Sequence, residues 1–209
     1  MAVYDVDYSQ NRLAMVKYKQ EVYDWFLDLD SASRIDFICS IFQQCSPWEL
    51  RLFGTCLEQL ARKDYHVLKD FEAKANDHKE LEEMTNILHQ GQNIRSRLIV
   101  CMCLMRSRPP NALCAKVLYD LLSEMDQHLR ILSASVPIDE KLVADVRLLL
   151  SIAIHHPAFT FSQRQDFINQ MEAFTHMFGA PPSDNTPSYV MKDAQCQTYP
   201  SCGVSRPSC

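Results

Sequence analysis

Glycine is scarce in this chain, with four residues in 209. That disfavours turn-rich β architectures, and the abundance of Leu, Gln, Glu and Met favours helices instead. Positive charge is short as well. A formal net charge of -5 and a pI near 5.8 argue against broad binding to a phosphate backbone, which needs a basic footprint. Long apolar runs are missing too. The strongest, Leu98 to Met105, is bracketed by Arg97 and Arg106 and falls far short of the roughly 20 residues of a membrane span. It reads as a buried helix, and no membrane insertion is expected.

Chemistry-bearing motifs are equally thin. Zinc sites need soft or imidazole ligands at converging spacings, but Cys101-Met102-Cys103 puts its thiols on different sides of a helix. Cys196, Cys202 and Cys209 have no histidine at zinc-knuckle spacing. Adjacent His155 and His156 point about 100° apart on a helix and precede Pro157, so they read as a helix end, with a cationic form favoured by the negative end of the dipole. Neither a Gly-rich loop ending in Lys nor a serine elbow occurs. No catalytic residue, metal or cofactor is expected, and the chain is not expected to be an enzyme. Nine cysteines are an odd number with no signal-peptide pattern ahead of them, which fits a reducing compartment. Cys39, Cys45 and Cys56 lie among apolar positions, where a free thiol behaves as a small hydrophobe.

What the chain does have is helical periodicity, densest from Val22 to Asn76. Ser46-Pro47-Trp48-Glu49 has the form of a capping box with proline at the first helical position. From there Leu50, Phe53, Gly54, Leu57, Leu60 and Ala61 recur at spacings of three and four. Ile35, Ile38, Ile41, Phe42 and Cys45 do the same after a start signal at Ser31 to Ser33. The two stripes are expected to close on each other as an antiparallel hairpin. Gly54 inside the second helix costs about 1 kcal/mol relative to alanine, which predicts a neighbouring helix crossing closely there.

Further helices are predicted over Lys17 to Leu29 with Trp25 in the core, His78 to Leu88, Ile94 to Ser107, and Ala112 to Leu132 with Met125 and Leu129 on its apolar face. Another carries Leu142, Val143, Val146, Leu149, Leu150 and Ala153 inward. The last runs from a capping box at Ser162 to Gln165 as far as Phe178, with Gly179 as its stop. Gln90 to Asn93, Pro109-Pro110 and Ser133 to Pro137 break the pattern. The expected architecture is all-α, with about eight helices in antiparallel hairpins stacked as a HEAT-like bundle. Residues 1–10 form a disordered N-terminus, 11–178 a single helical domain and 179–209 a disordered tail rich in Pro and Ser.

Local basic pairs remain at Lys17 and Lys19, Arg62 and Lys63, Arg95 and Arg97, and Arg106 and Arg108. Each reads first as a solvated helix face. The run Arg62, Lys63, Asp64, Tyr65 and His66 combines exposed charge with aromatics, as interfaces do. With Arg95 and Arg97 it forms the candidate interaction surface.

Val22 to Phe26 (VYDWF), Glu49 to His66 (ELRLFGTCLEQLARKDYH), Lys74 to Asn76 (KAN), Arg95 to Val100 (RSRLIV) and His156 to Gln165 (HPAFTFSQRQ) resemble one family. It is the N-terminal helical, pseudo-HEAT region of the CCHC-type zinc-finger domain-containing proteins 14 and 2, and more distantly the Smaug-similarity region of Smaug. The likeness spans Val22 to Phe178, and the Glu49 to His66 block is its specific part. It implies a protein-interaction module of a cytoplasmic post-transcriptional regulator. The relatives repress and destabilise mRNA or recruit noncanonical poly(A) polymerases. Their zinc knuckle, SAM and PX regions have no counterpart here, so the expected partners are proteins of mRNA-regulatory complexes and a second copy of the chain, with RNA reached indirectly. The competing expectation is direct RNA binding through the basic residues around Arg62, Lys63, Arg95 and Arg97.

Overall fold

A computed structural model of the chain describes residues 5–85, 92–107, 111–133 and 139–179, with side chains placed for 16–84, 95–107, 111–125 and 139–179. The expectations for Ile87, Leu88, Leu129, Gln90-Gly91, Pro109-Pro110, the segment 134–137 and the tail from 180 lie outside those residues.

The described residues form α-helices and one 3-10 turn, with no strand among them. In chain order they are α1 (Asp5–Asp28), α2 (Ser31–Gln44), α3 (Pro47–Ala61), the 3-10 turn Arg62–Asp64, α4 (Tyr65–Ala75), α5 (His78–Thr85), α6 (Gln92–Leu104), α7 (Ala112–Ser133), α8 (Glu140–His155) and α9 (Phe161–Phe178). From α4 onward successive helices alternate between two layers, as stacked hairpins require. The first layer runs α4, α6, α8, and α2 packs beside α8 to extend it. In the second, α5 lies against α7, and α7 meets α9 where the Tyr119 hydroxyl donates to Asp166 Oδ2 at 2.8 Å and its ring sits 5.4 Å from that of Phe167. Contacts of α4 with α5 and of α8 with α9 join the layers.

At the centre is α8. Between Val146 and Ile154 only Leu148 keeps appreciable exposure, and the polar Arg147 and Ser151 are buried with the rest, so the helix is covered on every side. Neighbours α2, α6 and α9 surround it. The fully buried side chains include Leu81, Leu98, Met102, Leu118, Leu149, Phe167 and Phe174, and one continuous core joins α4 to α9. At roughly 1.5–3 kcal/mol for each large apolar side chain removed from water, this core is the main stabilising term of the fold.

Polar contacts set the register. Asn76, just past α4, donates through Nδ2 to the carbonyls of Glu72 (2.6 Å) and Leu104 (3.1 Å), while its Oδ1 accepts from Arg106 N (2.8 Å) and Asn111 Nδ2 (2.5 Å). One side chain thereby fastens the end of α4 to the exit of α6 and the start of α7. The buried Ser151 hydroxyl donates to the Ala32 carbonyl at 3.1 Å, and His155 Nε2 meets Asp36 Oδ1 at 2.6 Å, holding α2 on α8.

Several sequence expectations need correction. The first helix begins at Asp5, well before Lys17. In its second half Val22, Tyr23 and Leu27 stay exposed. Trp25 is half-buried, in edge contact with Phe37 of α2 at 4.8 Å. For α6 the start is Gln92 and the last residue Leu104. The cap of α9 is Thr160, not Ser162: Thr160 Oγ1 accepts from Gln163 N, and Gln163 Oε1 accepts from Thr160 N. Phe159, buried against Phe167 at 5.1 Å, anchors the chain just ahead of it.

The histidines differ as well. His156 is half-buried at the end of α8. Its Nδ1 accepts from Ala158 N at 3.1 Å, which leaves Nε2–H to donate to the Met105 carbonyl at 3.1 Å. Burial holds its imidazole below the ordinary value, against the opposing pull of that carbonyl. The neutral form is favoured, contrary to the cationic helix end expected from the dipole.

Candidate functional site

The strongest local signal folds as expected and then packs in an unexpected place. Ser46 caps α3, with its Oγ accepting from Glu49 N at 3.4 Å and Glu49 Oε2 accepting from Ser46 N at 2.6 Å. Those bonds from Ser46 hold the Glu49 carboxyl below its usual value. Yet α3 has no buried residue at all. Of the α2 residues expected to close on α3, Ile35 packs on the core instead and Ile41 is exposed, while the buried positions of the helix are Ala32 and Asp36. Phe42 of α2 and Phe53 of α3 still meet, at 6.1 Å between ring centroids. Cys39 and Cys45 are half-buried, and burial pushes the Cys39 thiol up, reinforced by Asp36. Cys56 is exposed.

The apolar stripe of α3 therefore faces solvent. Leu50, Phe53, Leu57 and Leu60 are between 38% and 59% exposed, and covering the remainder is worth about 1 kcal/mol for each. The expected close crossing at Gly54 is absent: a Cβ there would meet nothing within 4 Å. Backbone angles stay right-handed through Ala61 and Arg62 into Tyr65, so α3 leads through the 3-10 turn into α4, where Val67, Leu68 and Phe71 are exposed too. Exposed apolar side chains therefore run from α3 into the first half of α4.

The residues singled out from sequence fall into three settings. Arg62, Lys63, Asp64, Tyr65 and His66 all lie exposed on the turn and the start of α4. Arg62 pairs with Glu58 at 3.1 Å across an exposed helix surface, and the Tyr65 and His66 rings meet edge to face at 5.6 Å. Arg95 lies elsewhere and does something else. Its Nε contacts Asp145 Oδ2 at 3.1 Å with both side chains mostly buried (19% and 15% exposed), which clamps α6 to α8. Arg97 is exposed on the rim of a cavity of about 330 Å³ between α4, α5 and α6. Lys74 lies on the same rim, about 12 Å along the helix from His66 at 1.5 Å per residue. Sequence reasoning missed both this cavity and the Asn76 node; the KAN run contains a residue of each but does not reveal the geometry.

The described residues thus form a two-layer helical stack with an exposed apolar arm and a small surface cavity. None of its described helices is long and apolar enough to cross a membrane. Residues 68–177 match the model of the SMAUG-like PHAT domain, and the chain belongs to that family. Residues 19–63 match the model described as the RNA-binding protein vts1-like domain. The two matches place the chain among post-transcriptional regulators of mRNA. The second of these matches ends in the 3-10 turn and the first begins within α4.

Proposed function

We propose that this chain is a non-catalytic protein-interaction module of a cytoplasmic mRNA regulator, and that α3 supplies the face on which two copies associate. The exposed stripe of Leu50, Phe53, Leu57 and Leu60 carries the reading, because none of the four is buried by the described residues, Phe53 beside Phe42 included. Gly54 lies within that stripe with open space before it, which suits close approach by a second helix. The Glu49 to His66 block resembles the CCHC-type zinc-finger domain-containing proteins 14 and 2. By that likeness the stacked layers would receive a noncanonical poly(A) polymerase or repressor machinery.

The second reading, direct RNA contact, is favoured by the description of the model matched by residues 19–63. Against it, that segment holds five cationic and seven anionic side chains, and Arg95 is already neutralised by Asp145. Light scattering of the full chain across a concentration series tests the first reading, with Leu57→Glu as the disrupting variant. Dimers that become monomers in L57E are expected. A wild-type chain that is monomeric throughout removes the self-association. Fluorescence titration with RNA at two salt concentrations tests the second, and tight binding with a steep negative salt slope would establish it.

A further inference from the structure

We propose that the cavity between α4, α5 and α6 is a docking site for a short partner segment that inserts one large apolar side chain and flanks it with carboxylates. This rests on the interaction-module reading and is independent of self-association through α3. The volume, about 330 Å³, lies at the small end of the range for ligand pockets and suits one aromatic or two aliphatic groups. Its floor is apolar and buried, made by Leu81, Met84 and Cys101, while Phe71 and Val100 stand exposed at its wall. A monomer gains nothing from holding those two side chains in water. Val67, one turn before Phe71, is exposed as well and extends the apolar track along α4.

Charge at the rim selects the flanks. Arg95 and Arg106, near either end of α6, are neutralised by Asp145 and Glu72. Lys74 and Arg97, both lining the cavity, have no ion-pair partner among the described residues. Glu80 lines it from α5 and gives the site a direction, with the acidic flank toward Lys74 and Arg97. A nucleic acid fits poorly: tracking a backbone takes a run of cations, and here two cations share the rim with a carboxylate over an apolar floor.

Panning random dodecapeptides on the full-length chain tests the proposal. Selected peptides are expected to carry a large apolar residue close to Asp or Glu. Their affinity by fluorescence polarisation should fall at least tenfold on the double variant Lys74→Glu and Arg97→Glu, and on Ser96→Trp, which fills the mouth. All three positions are exposed, so circular dichroism should show these variants folded; Phe71→Ala provides a further folded comparison. Peptides remade with Lys in place of the acids should bind the charge-reversed chain better than the wild type. Selected peptides without acidic residues, affinities unmoved by both sets of variants, or no selected peptide at all would each overturn the proposal. Equally tight binding by a peptide of residues 185–195 would also overturn it, by making the chain's own tail the occupant. L57E should leave these affinities unchanged, so a chain that binds the peptides yet stays monomeric fails only the self-association.

Discussion

Replacing Gly54 by alanine gives opposite signs within one chain and between two. Inside the chain the residue sits in α3 with a right-handed backbone, and an added methyl meets no atom within 4 Å. The intrinsic helix preference then acts alone and favours alanine by about 1 kcal/mol. That is roughly a fivefold change in local opening, read as slower amide exchange across α3 at a dilution where the chain is monomeric. Between two copies the same methyl occurs on both sides of a crossing. Overpacking a close contact costs about 1–3 kcal/mol, so association measured by sedimentation should weaken about fivefold or more. Faster exchange in the dilute variant would refute the first half and place a neighbour against Gly54 within the chain. Unchanged association would move the crossing away from Gly54 and leave its helical cost unexplained.

Other perturbations report on the core and its fastenings. Arg95→Ala should cost about 2 kcal/mol in a urea titration, because it leaves the mostly buried Asp145 without its partner, whereas Arg97→Ala on the exposed rim should stay within about 0.5 kcal/mol. Asn76→Ala removes four hydrogen bonds that join α4, α6 and α7, for a loss of about 2–4 kcal/mol; a smaller loss than 1 kcal/mol would show that water replaces the side chain. The depressed His156 value means that the folded chain binds fewer protons there than the unfolded chain, whose imidazole titrates near 6.5. This contribution is present above that pH and lost as pH falls through the folded value. His156→Gln should therefore flatten part of the decline in urea midpoint between neutral pH and about pH 5, and an unchanged slope would assign that decline to other groups.

The all-helical class was legible because periodicity and caps are local. Ser46 and Glu49 are three residues apart, and their reciprocal bonds need nothing from the rest of the chain. The stripes on α8 and α9 were legible for the same reason, since Val146, Leu149, Leu150, Phe167 and Phe174 repeat at helical spacing and are buried. Where two local solutions competed, sequence could not choose. Thr160 with Gln163 and Ser162 with Gln165 both satisfy the capping pattern, and the choice was made by Phe159 settling into a core formed by distant helices. The same limit explains why Arg95 and Arg97, two residues apart and alike in sequence, have different settings. One points at Asp145 across the layer, and the other opens on a cavity formed with α4 and α5.

Amphipathic spacing establishes that a helix has an apolar face without identifying what covers it. In α2 the side that closes on α8 carries Ala32, Ile35 and Asp36, and its partner lies 119 residues away in the chain at the Ser151 to Ala32 contact. In α3, which has the better cap and an equally regular stripe, no residue is buried, not even Phe53 beside Phe42. A core helix and an association helix are written with the same residues at the same spacing, so the distinction appears only once the other helices have taken their places. That is why the segment with the clearest helical signature lies outside the packed layers, and why its exposed leucines, rather than the basic residues that follow them, are the first place to look for a partner.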